Sequence, residues 1–232
     1  MIWLAAIVVA YLIGAIPFAY ILAKAHGKDL RSVGSGNIGA TNLARALGRP
    51  WGYVCFGLDV LKGWVPMLVT LRAIKPVFLR AGGTEMQSLW LWLAVGCAAI
   101  TGHVFPVYLG FKGGKGVATS FGVALGLWPY YTLSAVLAGL VWAVVVLIWR
   151  YVSLASMTAA VSFPLILSAA IWILPSWDLP SLWPLLLVAT VISVMVIVLH
   201  RANIRRLLAG TEHRILASRH SEVGAEGGRK EG

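Results

Sequence analysis

The sequence predicts an all-α, polytopic membrane protein with about seven transmembrane helices, its N-terminus outside and its C-terminus cytoplasmic. Three observations predict this. Hydrophobic residues make up 59% of the chain and charged residues only 12%, against roughly 25% charged in a soluble domain. The 232 residues divide into apolar runs close to the ~20 residues that cross a bilayer, joined by short polar connections. Lysine and arginine gather at one side of those runs, which marks the cytoplasmic side.

Taken in order, the first span is expected over residues 2–24. It has no basic leader or small-residue cleavage site, so it reads as a retained helix rather than a signal peptide. Gly14 and Pro17 fall inside it and are tolerable where neighbouring helices shield a loosened backbone. A Gly/Ser stretch follows, then a second span over 50–71 that carries Asp59 and Lys62. A polar connection with Arg72, Lys75, Arg80 and Glu85 leads to a third span over 88–109. Gly110–Gly116 is a second glycine-rich loop, and 117–128 reads as a short fourth helix broken near Pro129. A fifth helix ends at Arg150, a sixth runs over 153–174, and Pro175–Pro180 is the turn into a seventh over 182–199. The expected organisation is one membrane domain over 1–213 and a polar, disordered tail over 214–232.

With seven helices, every glycine-rich or basic connection falls on one face. Fifteen of the 19 lysines and arginines lie there, three lie opposite, and Lys62 is inside a helix. The formal charge of +11 is therefore a matter of topology and an anionic ligand, not a nucleic-acid footprint. Cys55 and Cys97 both sit in apolar runs, which argues against a disulfide framework or a cysteine metal site. No cofactor, metal or protein partner is suggested. Trp51, Trp90, Trp92, Trp128, Trp177 and Trp183 stand near span ends, as interfacial anchors do.

The first stretch, Arg31-Ser32-Val33-Gly34-Ser35-Gly36-Asn37-Ile38-Gly39-Ala40-Thr41-Asn42, is the one around which the chain is organised. Gly34, Gly36 and Gly39 let backbone N–H groups approach a ligand closely. Ser35, Asn37, Thr41 and Asn42 add short hydrogen-bonding groups, and Arg31 and Arg45 bracket them with charge. Backbone donors and arginine forks suit phosphate oxygens. A flexible linker would share the glycines and serines, but has no use for this mixture of Asn, Thr and Arg at a membrane edge.

Gly110-Phe111-Lys112-Gly113-Gly114-Lys115-Gly116 is not a Walker A loop. Three residues rather than four separate Gly110 from Gly114, and Gly116 follows Lys115 where Ser or Thr is required. A close backbone approach with two lysines remains, either to pair with phosphate or to anchor the loop at the membrane face. Thr119 opens the next helix, whose N-terminus favours an anion. In the third segment His200 and Asn203 are spaced i, i+3 and share a helix face. They suit a hydroxyl nucleophile or a phosphate, and Glu212 is placed to pair with a nearby arginine as a structural tie. Asp59 and Lys62 are ionisable groups at membrane depth, where function and mutual pairing are both open; His103 stands equally between site and helix-end packing.

No His-x4-Asp dyad and no His-Glu-x-x-His occurs, which removes the acyltransferases and zinc proteases that use those signatures. An organophosphate transporter or binding protein would need the same loops without chemistry. A serine intramembrane protease built on Ser35 has little use for two further phosphate-like loops.

The three segments, in order and nearly intact, resemble the PlsY-type, acyl-phosphate-dependent glycerol-3-phosphate acyltransferase family of bacterial inner membranes, over about residues 1–213. The resemblance implies transfer of a fatty acyl group from acyl phosphate to the 1-hydroxyl of glycerol 3-phosphate, yielding lysophosphatidic acid and phosphate, the first step of phospholipid synthesis. It implies catalytic roles for Ser35, Arg45, Lys115, His200 and Asn203. Substrate binding falls to Gly34, Gly36, Asn37, Gly39, Thr41, Asn42, Lys112, Gly113, Gly114, Gly116 and Thr119. Glu212 is structural. The acceptor of the hydroxyl proton, His200 or a substrate phosphate oxygen, is left open.

Overall fold

The computed structural model describes residues 1–215, and all regular structure among them is helical. Of the tail expected over 214–232, the residues from 216 onward lie outside the described ones. Among the described residues six segments are long and apolar enough to cross a membrane, and a further apolar helix is shorter.

The first span is broken. Helix α1 (Ile2–Ala15) stops before Pro17 and α2 (Phe18–Ala25) resumes after it. Pro17 has no N–H to continue the ladder and clashes with the preceding turn. The freed Ile16 carbonyl accepts a hydrogen bond from Lys62 Nζ (2.8 Å), so a neighbouring helix satisfies the loosened backbone with a charged side chain. Helix α3 (Ala40–Leu47) lies in the Gly/Ser stretch and was not expected. Helix α4 (Arg49–Val69) continues through a widened π turn at Thr70–Ile74 into α5 (Lys75–Arg80). Pro66 lies one turn before the widening, and Thr70 Oγ1 donates to its carbonyl (2.8 Å).

Helix α6 (Glu85–Val104) starts in a capping box, with Thr84 and Gln87 satisfying each other's backbone N–H groups. The Gly110–Gly116 loop then turns back on the helix it left. Gly113 N–H donates to Val104 O and Gly114 N–H to His103 O, both at 3.1 Å. Helix α7 (Val117–Gly126) therefore starts beside the last turn of α6. Its ten residues span about 15 Å, half of the ~30 Å hydrocarbon core. Helices α8 (Tyr130–Trp149), α9 (Val152–Ile173) and α10 (Leu179–Leu199) are full spans, and α11 (Arg201–Leu208) lies beyond them.

Close crossings are built on glycine, because lipid tails give helices no hydrophobic reason to associate and contact must come from packing. At the α4–α7 crossing a Cβ on Gly63 would run into the Thr119 carbonyl, and one on Gly122 into that of Val60. The main core gathers Met67, Trp92, Ile100, Leu127, Tyr131, Leu167 and Leu185. A second, smaller core of Ala19, Ala23, Leu30, Ile38, Leu43, Ala46 and Cys55 sits under the first loop and ties it to α2, α3 and α4. Trp183, Leu187, Val191, Val194 and Val198 stay exposed along α10, a stripe suited to lipid.

The two ends of the bundle differ. At one end Trp3 meets Phe78, Trp90 meets Trp183 and Tyr130 meets Trp177, with ring centroids 5.3–5.6 Å apart. At the other, Ile215 N–H donates to Arg150 O and Ser153 reaches Glu212. The three polar segments share this second end.

Candidate active site

In the first loop Gly34 and Gly36 adopt left-handed φ values of +58° and +67°, which side chains with a Cβ rarely take. Ser35, between them, is exposed, and its N–H donates to Asn42 Oδ1 (3.1 Å). Asn42 Nδ2 donates in turn to Leu30 O (3.0 Å) and Val33 O (2.9 Å). Asn42 is only 2% exposed, so it shapes the loop from inside, with both amide N–H groups committed to backbone carbonyls. Arg45 follows one turn later, its stem running beside Gly34, and burial lowers its pKa while Glu212 opposes that shift. Arg31 is held by Asp29 (Nε–Oδ1 3.1 Å) on the exposed side of the loop. Asn37 and Gly39 are half-buried and Thr41 is exposed.

In the second loop Lys115 Nζ hydrogen-bonds Asn203 Oδ1, which joins the second and third segments directly. Burial lowers the Lys115 pKa to about 8; Glu212 pulls it back up, and Arg206 and Arg45 push it further down. Lys112 and Gly110 are exposed, whereas Gly114 and Gly116 are buried. Thr119 is fully buried and shares a hydrogen bond with His103 Nδ1 (3.1 Å). It faces the protein interior rather than an open ligand position.

The third segment is fixed by Glu212, which is 9% exposed. Its carboxylate accepts from Asn203 Nδ2 (2.7 Å), Arg206 Nε (2.7 Å) and Ser153 Oγ (2.8 Å). Burial raises its pKa, but these three donors outweigh burial and leave it below the usual carboxylate value. Asn203 thus stands between Glu212 and Lys115. His200 donates its Nδ1–H to Val196 O (2.7 Å), which leaves Nε2 as the acceptor of this tautomer. Burial, then Lys115, lowers the His200 pKa to about 4. The imidazole is neutral at physiological pH.

Next to this polar end lies an apolar cavity of about 300 Å³ between α7, α8, α9 and α10. Val117 and Val196 line it, two residues from Lys115 and at the carbonyl that holds His200. Deeper in, Ala135, Ala138, Gly139, Ala159, Ala160 and Ala189 keep it wide. Sequence reading missed this cavity, and it missed Ser153, whose place at the start of α9 looked like an ordinary helix terminus. Small residues on several facing helices were the available signal. Asp59 and Lys62 are paired at 2.7 Å, and His103 Nδ1 lies 3.6 Å from Asp59.

Clustered arginine, lysine, asparagine and histidine at the mouth of an apolar cavity suit a polytopic helical membrane protein to an anionic, lipid-like ligand. The comparisons narrow that reading. The family model described as glycerol-3-phosphate acyltransferase matches residues 4–210. The glycerol-3-phosphate acyltransferase of Aquifex aeolicus is 43% identical over 208 residues, covering 90% of this chain and 96% of that one. That of Geobacter sulfurreducens is 45% identical over 210 residues, covering 90% and 95%. Crystal structures of PlsY, an integral membrane glycerol 3-phosphate acyltransferase, are also similar. The glycerol 3-phosphate form has a TM-score of 0.78 at 42% identity, covering 93% of this chain and 96% of that one. The lysophosphatidic acid form has a TM-score of 0.75 at 41% identity, covering 92% and 95%. The chain belongs to the glycerol-3-phosphate acyltransferase family, and is an integral membrane enzyme of phospholipid synthesis.

Proposed function

We propose that the acyl donor is an acyl phosphate, and that its chain occupies the apolar cavity while its phosphate meets the cations at the mouth. The observation that carries this reading is the adjacency of Lys115 and His200 to the cavity's end at Val117 and Val196. An amphiphile with an anionic head and a long apolar tail fits that arrangement. Glycerol 3-phosphate, which the PlsY structure in its glycerol 3-phosphate form names for that protein, would lie beside it against Ser35, Arg45 and Lys115.

The reaction then needs little covalent help. The 1-hydroxyl oxygen attacks the acyl carbonyl carbon, the bond from that carbon to the phosphate oxygen breaks, and phosphate leaves with the electron pair. Two bound reactants held in line supply much of the acceleration, and fixed cations stabilise the charge that develops on the carbonyl and leaving oxygens. The hydroxyl proton goes to a substrate phosphate oxygen. A phosphate monoester has a second pKa near ~6, which makes it a stronger base than an imidazole held at about 4. His200 Nε2, an acceptor, takes a hydrogen bond from the neighbouring 2-hydroxyl and so orients the glycerol backbone, and Asn203, fixed by Glu212, keeps Lys115 aimed. Asn42 and Thr119 support the loops from within.

In this reading residues 1–213 form one catalytic domain in the bacterial cytoplasmic membrane. The active end faces the cytoplasm and the N-terminus lies outside, as the concentration of basic residues at the active end supports. The test is donor choice. Purified protein given glycerol 3-phosphate should form lysophosphatidic acid from palmitoyl phosphate and not from palmitoyl-coenzyme A. Product from the thioester alone would overturn the donor assignment.

A further inference from the structure

Four polar side chains lie outside the reaction centre, buried where α4, α6 and α7 meet the break between α1 and α2. Asp59 is 3% exposed, Lys62 4%, His103 8% and Thr119 0%. Lys62 Nζ lies 2.7 Å from Asp59 Oδ1 and donates to Ile16 O at 2.8 Å; the Phe18 ring centroid is 5.5 Å away. His103 Nδ1 faces both Thr119 Oγ1 (3.1 Å) and Asp59 Oδ1 (3.6 Å). Cys55 Sγ approaches the other Asp59 oxygen at 3.7 Å. Buried ion pairs contribute little net stability, and apolar residues of like volume commonly serve as well. Stability alone is a weak reason for these groups.

Their position supplies a stronger one. The His103 imidazole lies against Gly114, where a Cβ would collide with Nε2. The His103 and Val104 carbonyls hold the N–H groups of Gly114 and Gly113. A Cβ on Gly114 would also lie 2.9 Å from Ile38 O of the first loop. Asp59, Lys62, His103, Gly113, Gly114, Ile38 and the Ile16–Pro17 break enclose a common space of about 10 Å³. Both loops and the helix break therefore rest on one charged cluster, and Lys115 is the residue that follows Gly114.

We propose that Asp59, Lys62, His103 and Thr119 form a positioning unit that sets the Gly113–Gly114 strip against the first loop and so aims Lys115 at the phosphate site. The Asp59–Lys62 pair fixes α4 to the helix break and orients His103; His103 and Thr119 carry that registration to the loop. None of the four touches substrate. The unit rests on the reading above that Lys115 engages a substrate phosphate.

The experiment measures phosphate release from palmitoyl phosphate by the purified full-length protein at varied glycerol 3-phosphate, with thermal unfolding in parallel. His103→Ala should lower kcat/KM for glycerol 3-phosphate about 10–100-fold, the size expected of a displaced catalytic group, with a smaller rise in the KM for palmitoyl phosphate, whose chain still holds it in the apolar cavity. His103→Gln should recover much of the loss. Thr119→Val, a milder change, should show the same KM pattern and serves if His103→Ala does not fold. In a Lys115→Arg background either change should cost little more, because the group being aimed is already altered. Losses that multiply in that background, or that fall equally on both substrates in step with unfolding temperature, overturn the inference. Wild-type protein without glycerol-3-phosphate-dependent release would overturn the underlying reading as well.

Discussion

Lys115 is drawn away from water while Arg206 and Arg45 stand near enough to repel it and Glu212 partly compensates. Its ammonium is charged below about pH 8 and loses its proton as pH rises through that value. The kcat/KM for glycerol 3-phosphate, which reports the free enzyme, should therefore fall above pH ~8. His200, held at about 4, stays neutral across the same range and adds no limb of its own. Lys115→Arg should remove the alkaline limb, since guanidinium stays charged, while Lys115→Ala should cost about 10²–10³ in kcat where the lysine is charged and progressively less above pH ~8. A pH–rate profile of the three proteins checks this. At this scale the sequence identified the chemistry but not always its direction. Asn42 and Thr119 are the residue types that bind phosphate, yet both are turned inward. Hydrogen-bonding capacity is written in a side chain, whereas the side of the backbone it faces depends on packing against distant helices.

Elements were legible where apolar length alone decides them. The third, fifth, sixth and seventh spans appear close to their expected places as α6, α8, α9 and α10. The break at Pro17 was readable as a weak point, but the repair of the freed Ile16 carbonyl by Lys62, 46 positions further on, was not. Helix α3 escaped notice because Ala40–Leu47 sits in a segment whose glycines signalled loop. The short α7 has its cause in the backward turn of Gly113 and Gly114 onto α6, a long-range pairing with no sequence period. The α4–α7 crossing carries the next prediction. Gly122→Val would drive a branched side chain into the Val60 carbonyl and separate α7 from α4. Overpacking of this kind costs about 1–3 kcal/mol or more. The variant should unfold at lower temperature and lose activity, whereas Gly57→Ala, with open space around it, should change neither by much.

At the scale of the whole molecule, the count of basic residues predicted a single face for the three segments, and the Lys115–Asn203 contact, with Gly114 packed against Ile38 O, places them at one end. The apolar cavity, by contrast, arises from small residues on four helices that no one segment reveals. Orientation in the bilayer is open to direct measurement. In a background with Cys55 and Cys97 replaced by serine, Ser176→Cys should react with an impermeant maleimide added outside intact cells. Ala209→Cys, at the active end, should react only after permeabilisation. Protection in the opposite sense would invert the proposed topology.

The central claim is that one membrane-embedded site joins an acyl phosphate to glycerol 3-phosphate without a covalent enzyme intermediate. Its most direct test is the stoichiometry of phosphate and lysophosphatidic acid produced by purified protein from palmitoyl phosphate, with and without glycerol 3-phosphate. One phosphate is expected per lysophosphatidic acid, with release that depends on the acceptor. Phosphate release at the same rate without acceptor, or tight binding of glycerol 3-phosphate with no release, would contradict it.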